Sequence, residues 1–143
     1  ADHILLKPGP LDDDERAAVR RHPQIGADII GKHDNELLAA ARTIALTHHE
    51  RWDGTGYPQG LQGEQIPIFG RIVAVADVFD ALMNKRPHKP AFSASQSLAI
   101  MAEERGKAFD PALLDAFFQA QFEVLRVMDL YTDERGTASE LLA

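Results

Sequence analysis

The stretch HHERWDGTGYPQGLQGEQIPIFGRIVAVADVFDALMN, residues 48–84, decides how the chain is read. Two adjacent imidazoles close one helix, and a loop containing Gly54, Gly56, Gly60 and Gly63 follows at once. Glycine lets a backbone turn sharply or approach a ligand closely, and a long loop in a compact domain is uncommon unless it is functional. From Ile68 to about Asn84 the chain is hydrophobic nearly all round, which predicts a central, buried helix. Asp77 sits in its middle, where a carboxylate is costly unless it is paired, hydrogen-bonded or bound to a cation.

Upstream, Asp34 or Asn35 caps a predicted helix over about 35–49. Its apolar face, Leu37, Ala41, Ile44 and Ala45, extends in register to His48, with His49 on the flank. Before it, Asp12-Asp13-Asp14-Glu15 supplies a cap and an acidic first turn, and Pro23 breaks or restarts the helix it begins. Val19, Gly26, Ile29 and Ile30 form the stripe of this segment, and His22 falls on it. Residues 1–11, ADHILLKPGPL, read as an apolar stretch broken by a turn at Pro8-Gly9-Pro10. Downstream, Lys85-Arg86-Pro87-His88-Lys89-Pro90 is a basic connector. Ser93 and Gln96 make a capping box for a helix to about Arg105, ended by Gly106. Asp110-Pro111 opens a helix that packs through Leu113, Leu114, Phe117, Phe118, Phe122 and Leu125, and residues 129–143 read as a flexible tail. With no strand pattern, the fold class is all-α.

Composition narrows the chemistry. The 143 residues suit one domain. Without cysteine there is neither a disulfide nor a thiolate site, so a metal must be held by nitrogen and oxygen. A net charge of -7 argues against a broad DNA- or RNA-binding surface but leaves room for a small phosphate ligand. No run approaches a membrane span and no signal-peptide pattern opens the chain, so cytoplasm is the default. Asp77 alone is read more readily as the structural partner of a helix end or of Arg71. His22, His48 and His49 together with Asp77 shift the balance to a divalent metal, because imidazole and carboxylate are the ligands that Zn, Mn, Fe and Ni accept. Glu50 and Asp53 read equally as partners of an imidazole or as a solvated rim. Trp52 and Tyr57 pin the loop, and Tyr57 can also present its hydroxyl. Arg86 and Lys89 are either a solubilising connector or phosphate contacts. His3, His33 and His88 read as surface or connector residues.

Residues 48–87, together with ILLKPGPL, RRHPQIGADII (20–30) and FDPALLDAF (109–117), closely resemble the HD-GYP domain, a branch of the HD metal-dependent phosphohydrolases. The resemblance implies an all-α bundle and a cyclic di-GMP phosphodiesterase with two or three metal ions, iron or manganese. By position, His22, His48, His49 and Asp77 correspond to metal ligands, with Asp77, His48 and His49 catalytic. Gly56, Tyr57 and Pro58 form the loop beside the substrate, and Arg86 and Lys89 contact its phosphate. His88 departs from the family, which usually has Tyr there. So does the start: the family's His-Asp pair belongs just before ILLKPGPL, where this chain has Ala1-Asp2-His3. The expectation is a single HD-GYP domain without its N-terminal helices, inactive by itself and prone to form homo-oligomers. Expected partners are a cyclic dinucleotide and an upstream receiver or sensor domain or a diguanylate cyclase. The alternatives are a degenerate module that binds nucleotide or a signalling partner without turnover, and a phosphohydrolase for another cyclic dinucleotide.

Overall fold

The computed structural model describes residues 4, 7, 9–84, 91–128 and 130. It is all-α: α1 (Asp13–Val19), α2 (His22–Ile30), α3 (Glu36–Thr47), a 3-10 turn (Gly63–Gln65), α4 (Ile68–Met83), α5 (Ala94–Glu103) and α6 (Pro111–Gln119). Residues 121–128 are also helical. Strands are absent among the described residues; two isolated bridges, Asp53 to Gln62 and Arg105 to Phe109, tie loops.

The helix starts follow from local chemistry. Asp12 accepts from the Glu15 amide while Glu15 reaches back to the Asp12 amide, a reciprocal cap. Asn35, not Asp34, caps α3 by accepting from the amides of Leu37 and Leu38. Ser93 and Gln96 form the expected capping box, and Asp110 accepts from the Ala112 amide ahead of Pro111. Pro23 sits in the first turn of α2, where its missing N–H costs nothing, so the helix restarts there. α5 stops at Glu103, a little before Gly106, whose positive φ turns the chain back.

α2 packs on α3, α3 on α4, and α4 on α5 and α6. Gly26 lies against the Ala45 side chain, so small residues let α2 and α3 approach closely. At the next interface the fit is tighter, because a Cβ on Gly70 would stand 2.1 Å from the Thr47 hydroxyl. Thr47 is buried and donates that hydroxyl to the Thr43 carbonyl. Below, Val75 and Phe79 join Met101, Phe109 and Leu114 in the core. Each such side chain contributes about 1.5–3 kcal/mol by leaving water.

Several expectations about burial fail. α4 is not buried all round: Ile68, Phe69 and Ile72 are exposed, and Ala76 and Asp77 lie on the open side with them. Asp77 therefore escapes the desolvation cost that full burial would impose. Arg71 is not its partner either, since Arg71 bonds Asp110 at 2.7 Å. Ile29, Leu37 and Phe122, read as packing residues, are 81%, 77% and 79% exposed. The apolar periodicity is real, but no described element covers those faces. Residues 1–3, 5, 6 and 8, the connector 85–90, and residues 129 and 131–143 lie outside the described residues, as do the readings made for them.

Gly70→Ala is expected to destabilise the fold by about 1–3 kcal/mol, the usual cost of overpacking. Urea unfolding measures this, and an unchanged midpoint would mean that α3 and α4 do not depend on the Gly70–Thr47 approach.

Candidate metal centre

Three imidazoles converge where α2 begins and α3 ends. His22 is the first residue of α2, His48 caps the end of α3, and His49 follows it. Single ligand atoms of the three lie within 4.8 Å of one another. His22 Nδ1 stands 2.7 Å from the Val19 carbonyl oxygen. His48 Nδ1 stands 3.0 Å from the Ile44 oxygen and 2.9 Å from the Ala45 oxygen. Carbonyls only accept, so in both rings Nδ1–H donates, and in the neutral imidazole Nε2 keeps a lone pair.

Those two Nε2 atoms face each other at 3.3 Å. Two lone pairs at that distance repel unless a proton or a metal cation lies between them. Metal–nitrogen bonds of about 2.0–2.1 Å in a tetrahedral site hold two ligand nitrogens about 3.3–3.4 Å apart, so the pair fits one ion. The backbone carbonyls are also the outer partners that fix a ligating imidazole's tautomer. His49 completes the cluster, its ring 4.1 Å from that of His48 and 4.9 Å from that of His22. Burial first, then the neighbouring His48 and His22, push its pKa down to about 4 against a weaker opposing effect of Asp77. His49 is therefore neutral at pH 7, the form that binds a metal.

Asp77 does not join the three-residue cluster; it is exposed, and its charge acts on both His49 and Tyr57. Tyr57 lies 4.9 Å from the His49 ring, and burial raises its phenol pKa. Gly56 is half-buried and Pro58 exposed, joined to Tyr57 through a cis Tyr57–Pro58 bond. Arg86, Lys89 and His88 lie outside the described residues.

The loop that holds Tyr57 is tied from within and from outside. Glu50, only 3% exposed, accepts from the Gln59 amide at 2.7 Å and the Leu61 amide at 3.0 Å. A Cβ on Gly56 would stand 2.3 Å from the Arg51 nitrogen, so only glycine lets the loop lie on its own start. The Trp52 and Asp53 amides donate to the carbonyls of Ala108 and Lys107. Arg51 bonds Glu104 at 2.8 Å, and Arg71 reaches over the Trp52 ring on its way to Asp110. Glu50 thus proves a loop brace rather than a rim residue, which its place beside the histidine pair hints at but its type does not. Arg20, unnoticed in the sequence, stands over Tyr57 with its guanidinium carbon 5.2 Å from the ring centroid. A cleft of about 200 Å3 runs from His48, His49 and Tyr57 inward to Ala74 and Phe109. Ligand pockets are typically about 300–1,000 Å3, so this cleft is small by that measure.

A family model described as HD domain matches residues 2–113. The chain is 47% identical over 137 residues to a cyclic di-GMP phosphodiesterase of Vibrio cholerae, covering 92% of this chain and 28% of that protein. It is 46% identical over 126 residues to the cyclic di-GMP phosphodiesterase response regulator RpfG of Xanthomonas campestris, covering 88% and 33%. Among solved structures, a cyclic GMP-AMP specific phosphodiesterase of V. cholerae matches with a TM-score of 0.58 and 25% identity, over 76% of this chain and 25% of that one. The chain thus spans about a third or less of the length of these relatives.

His48→Ala is expected to weaken manganese or zinc binding by at least about 10–100-fold, since losing even an outer partner of a ligand costs that much. His33→Ala, whose imidazole bonds the Ile30 carbonyl outside the cluster, serves as the control. Equal metal stoichiometry and affinity in both variants, by titration calorimetry, would remove His48 from the centre. Glu50→Gln exchanges one acceptor oxygen for an NH2 facing a backbone amide. The expected loss is about 1–3 kcal/mol of stability, and an unchanged Tm in thermal unfolding would count against Glu50 as the loop's brace.

Proposed function

This chain belongs to the HD-domain family, and from that premise we propose that it is the metal-binding part of a phosphodiesterase that hydrolyses cyclic di-GMP to pGpG and GMP. The observation that carries the reading is the pair of Nε2 atoms 3.3 Å apart, each ring turned by a bond from Nδ1 to a backbone carbonyl. HD-domain phosphohydrolases are metal-dependent. In this reading the ions are iron or manganese, two or three in number, held by His22, His48, His49 and Asp77. When bound, they supply activated water and neutralise charge growing on the phosphoryl oxygens.

The chain's own residues do the rest. Val19, Ile44 and Ala45 carbonyls hold His22 and His48 in the tautomer that turns Nε2 inward. His49 stays unprotonated at neutral pH, and Asp77 adds the negative charge that favours a cation beside it. Glu50 and Gly56 hold Tyr57 against His49, so that Gly56, Tyr57 and Pro58 border the ligand. Arg86 and Lys89 contact its phosphate. The names of the V. cholerae and Xanthomonas relatives support cyclic di-GMP as substrate, and "response regulator" in the second supports an upstream receiver domain as the source of control. A diguanylate cyclase or a second copy of the chain are further partners in this reading, which places the protein in the cytoplasm. No helix among the described residues is long and apolar enough to cross a membrane.

The cyclic GMP-AMP specific relatives support a second substrate, so both dinucleotides belong in one assay. With manganese, the protein that carries this chain is expected to convert cyclic di-GMP to pGpG faster than it converts cyclic GMP-AMP, followed by chromatography. Asp77→Asn is expected to lower kcat/KM by at least about 10–100-fold. Binding of either dinucleotide without turnover under manganese or ferrous iron would replace the enzyme by a non-catalytic nucleotide-binding module.

A further inference from the structure

The cyclic-dinucleotide reading assigns phosphate contacts to Arg86 and Lys89 but none to the Tyr57 side of the cluster, in a chain of net charge -7 whose cluster is flanked by Asp77. An anion approaching such a surface gains from any cation placed at that spot. Most arginines around the loop are already engaged. Arg51 bonds Glu104 and Asp53, Arg71 bonds Asp110, and Arg105 forms a two-pronged pair with Asp115. Paired guanidiniums have few donors to spare.

Arg20 differs. It caps the end of α1, two residues before His22, and is exposed. Among the described residues its side chain meets no carboxylate; its contact is the Tyr57 ring, 5.2 Å below the guanidinium carbon. Tyr57 in turn lies 4.9 Å from the His49 ring, so Arg20, Tyr57 and His49 form a continuous row from open surface to metal cluster. A guanidinium over an aromatic face is steadied by the ring's quadrupole while its N–H donors remain free. Resting on the cyclic-dinucleotide reading, we propose that Arg20, seated over Tyr57 beside the histidine cluster, is a substrate-binding residue whose guanidinium donates to a phosphodiester oxygen of the cyclic dinucleotide.

The planar fork matches two phosphate oxygens at once, which an ammonium cannot do. A purely structural Arg20 would do no more than cover the Tyr57 ring, a task a methionine can share through its sulfur. The test compares the unaltered protein with Arg20→Met and Arg20→Lys, all manganese-loaded. Equilibrium binding of a hydrolysis-resistant phosphorothioate analogue of cyclic di-GMP is measured at low and high salt. Arg20→Met is expected to raise Kd about tenfold or more, the cost of one hydrogen bond to a charged group. Arg20→Lys is expected to fall between the two. The salt dependence of Kd should be shallower in Arg20→Met, because one exposed charge pair has gone, and manganese stoichiometry should not change in either variant.

An Arg20→Met Kd equal to that of the unaltered protein overturns the proposal. So does a weaker Kd with undiminished salt dependence, which would assign Arg20 to ring support. If the unaltered protein binds neither cyclic di-GMP nor cyclic GMP-AMP, the substrate reading fails and this inference with it.

Discussion

The geometry of the site depends on one constraint: two imidazoles at the meeting of α2 and α3 must spend their Nδ1 protons on main-chain carbonyls. With those protons committed, the neutral rings turn their Nε2 acceptors inward, and the packing of α2 on α3 brings them face to face at 3.3 Å. The helices supply the constraint cheaply. The Ile44 carbonyl already accepts the His48 amide, and from the same cap position the His48 ring adds a bond to it and one to the Ala45 carbonyl in the last turn of α3. Carbonyls at a helix end thus fix the orientation of a ring that could serve a metal.

The loop solves a different problem. A Gly-rich segment has many conformations to lose, and ordering it costs about 1–2 kcal/mol per residue in backbone entropy. Glu50 offsets part of that by accepting two amides while buried, where a carboxylate left unpaired would be expensive. Bonds from Trp52 and Asp53 to the segment before α6 anchor the other side. The glycines are specific in purpose: Gly56 because the loop lies on residues 50 and 51, Gly70 because α4 lies on Thr47. Both contacts place Tyr57 and the histidines on one rigid frame made by α3 and α4.

Much of this was legible in the residues, and the failures share one cause. Caps at Asp12, Asn35, Ser93 and Asp110, and the restart at Pro23, each depend on partners within a few positions, so the chain order contains them. The clustering of His22, His48 and His49 was expected from their helical register and from the resemblance to the HD-GYP family. Burial was the weak point. Ile29, Leu37, Ile68, Phe69, Ile72 and Phe122 carry the periodicity of packed faces, yet they face outward. A stripe states which side of a helix is apolar, not whether another element lies upon it. For the same reason the apolar run around Asp77 predicts a buried carboxylate, whereas Asp77 lies on the open side of α4.

By itself the sequence determined the helical class, the limits of most helices, the nitrogen and oxygen character of any metal site, and the family. Each of these follows from local hydrogen bonding, from which residue types are present, or from a long motif. Only the tertiary structure decided that Arg71 belongs to Asp110, that Glu50 braces the loop, that Arg20 stands over Tyr57, and that two Nε2 lone pairs meet. Those pairings join residues 26 to 39 positions apart, or depend on the path of a loop. Their distances are set by how helices pack, and helix packing is a property of the assembled surfaces rather than of any one stretch of chain.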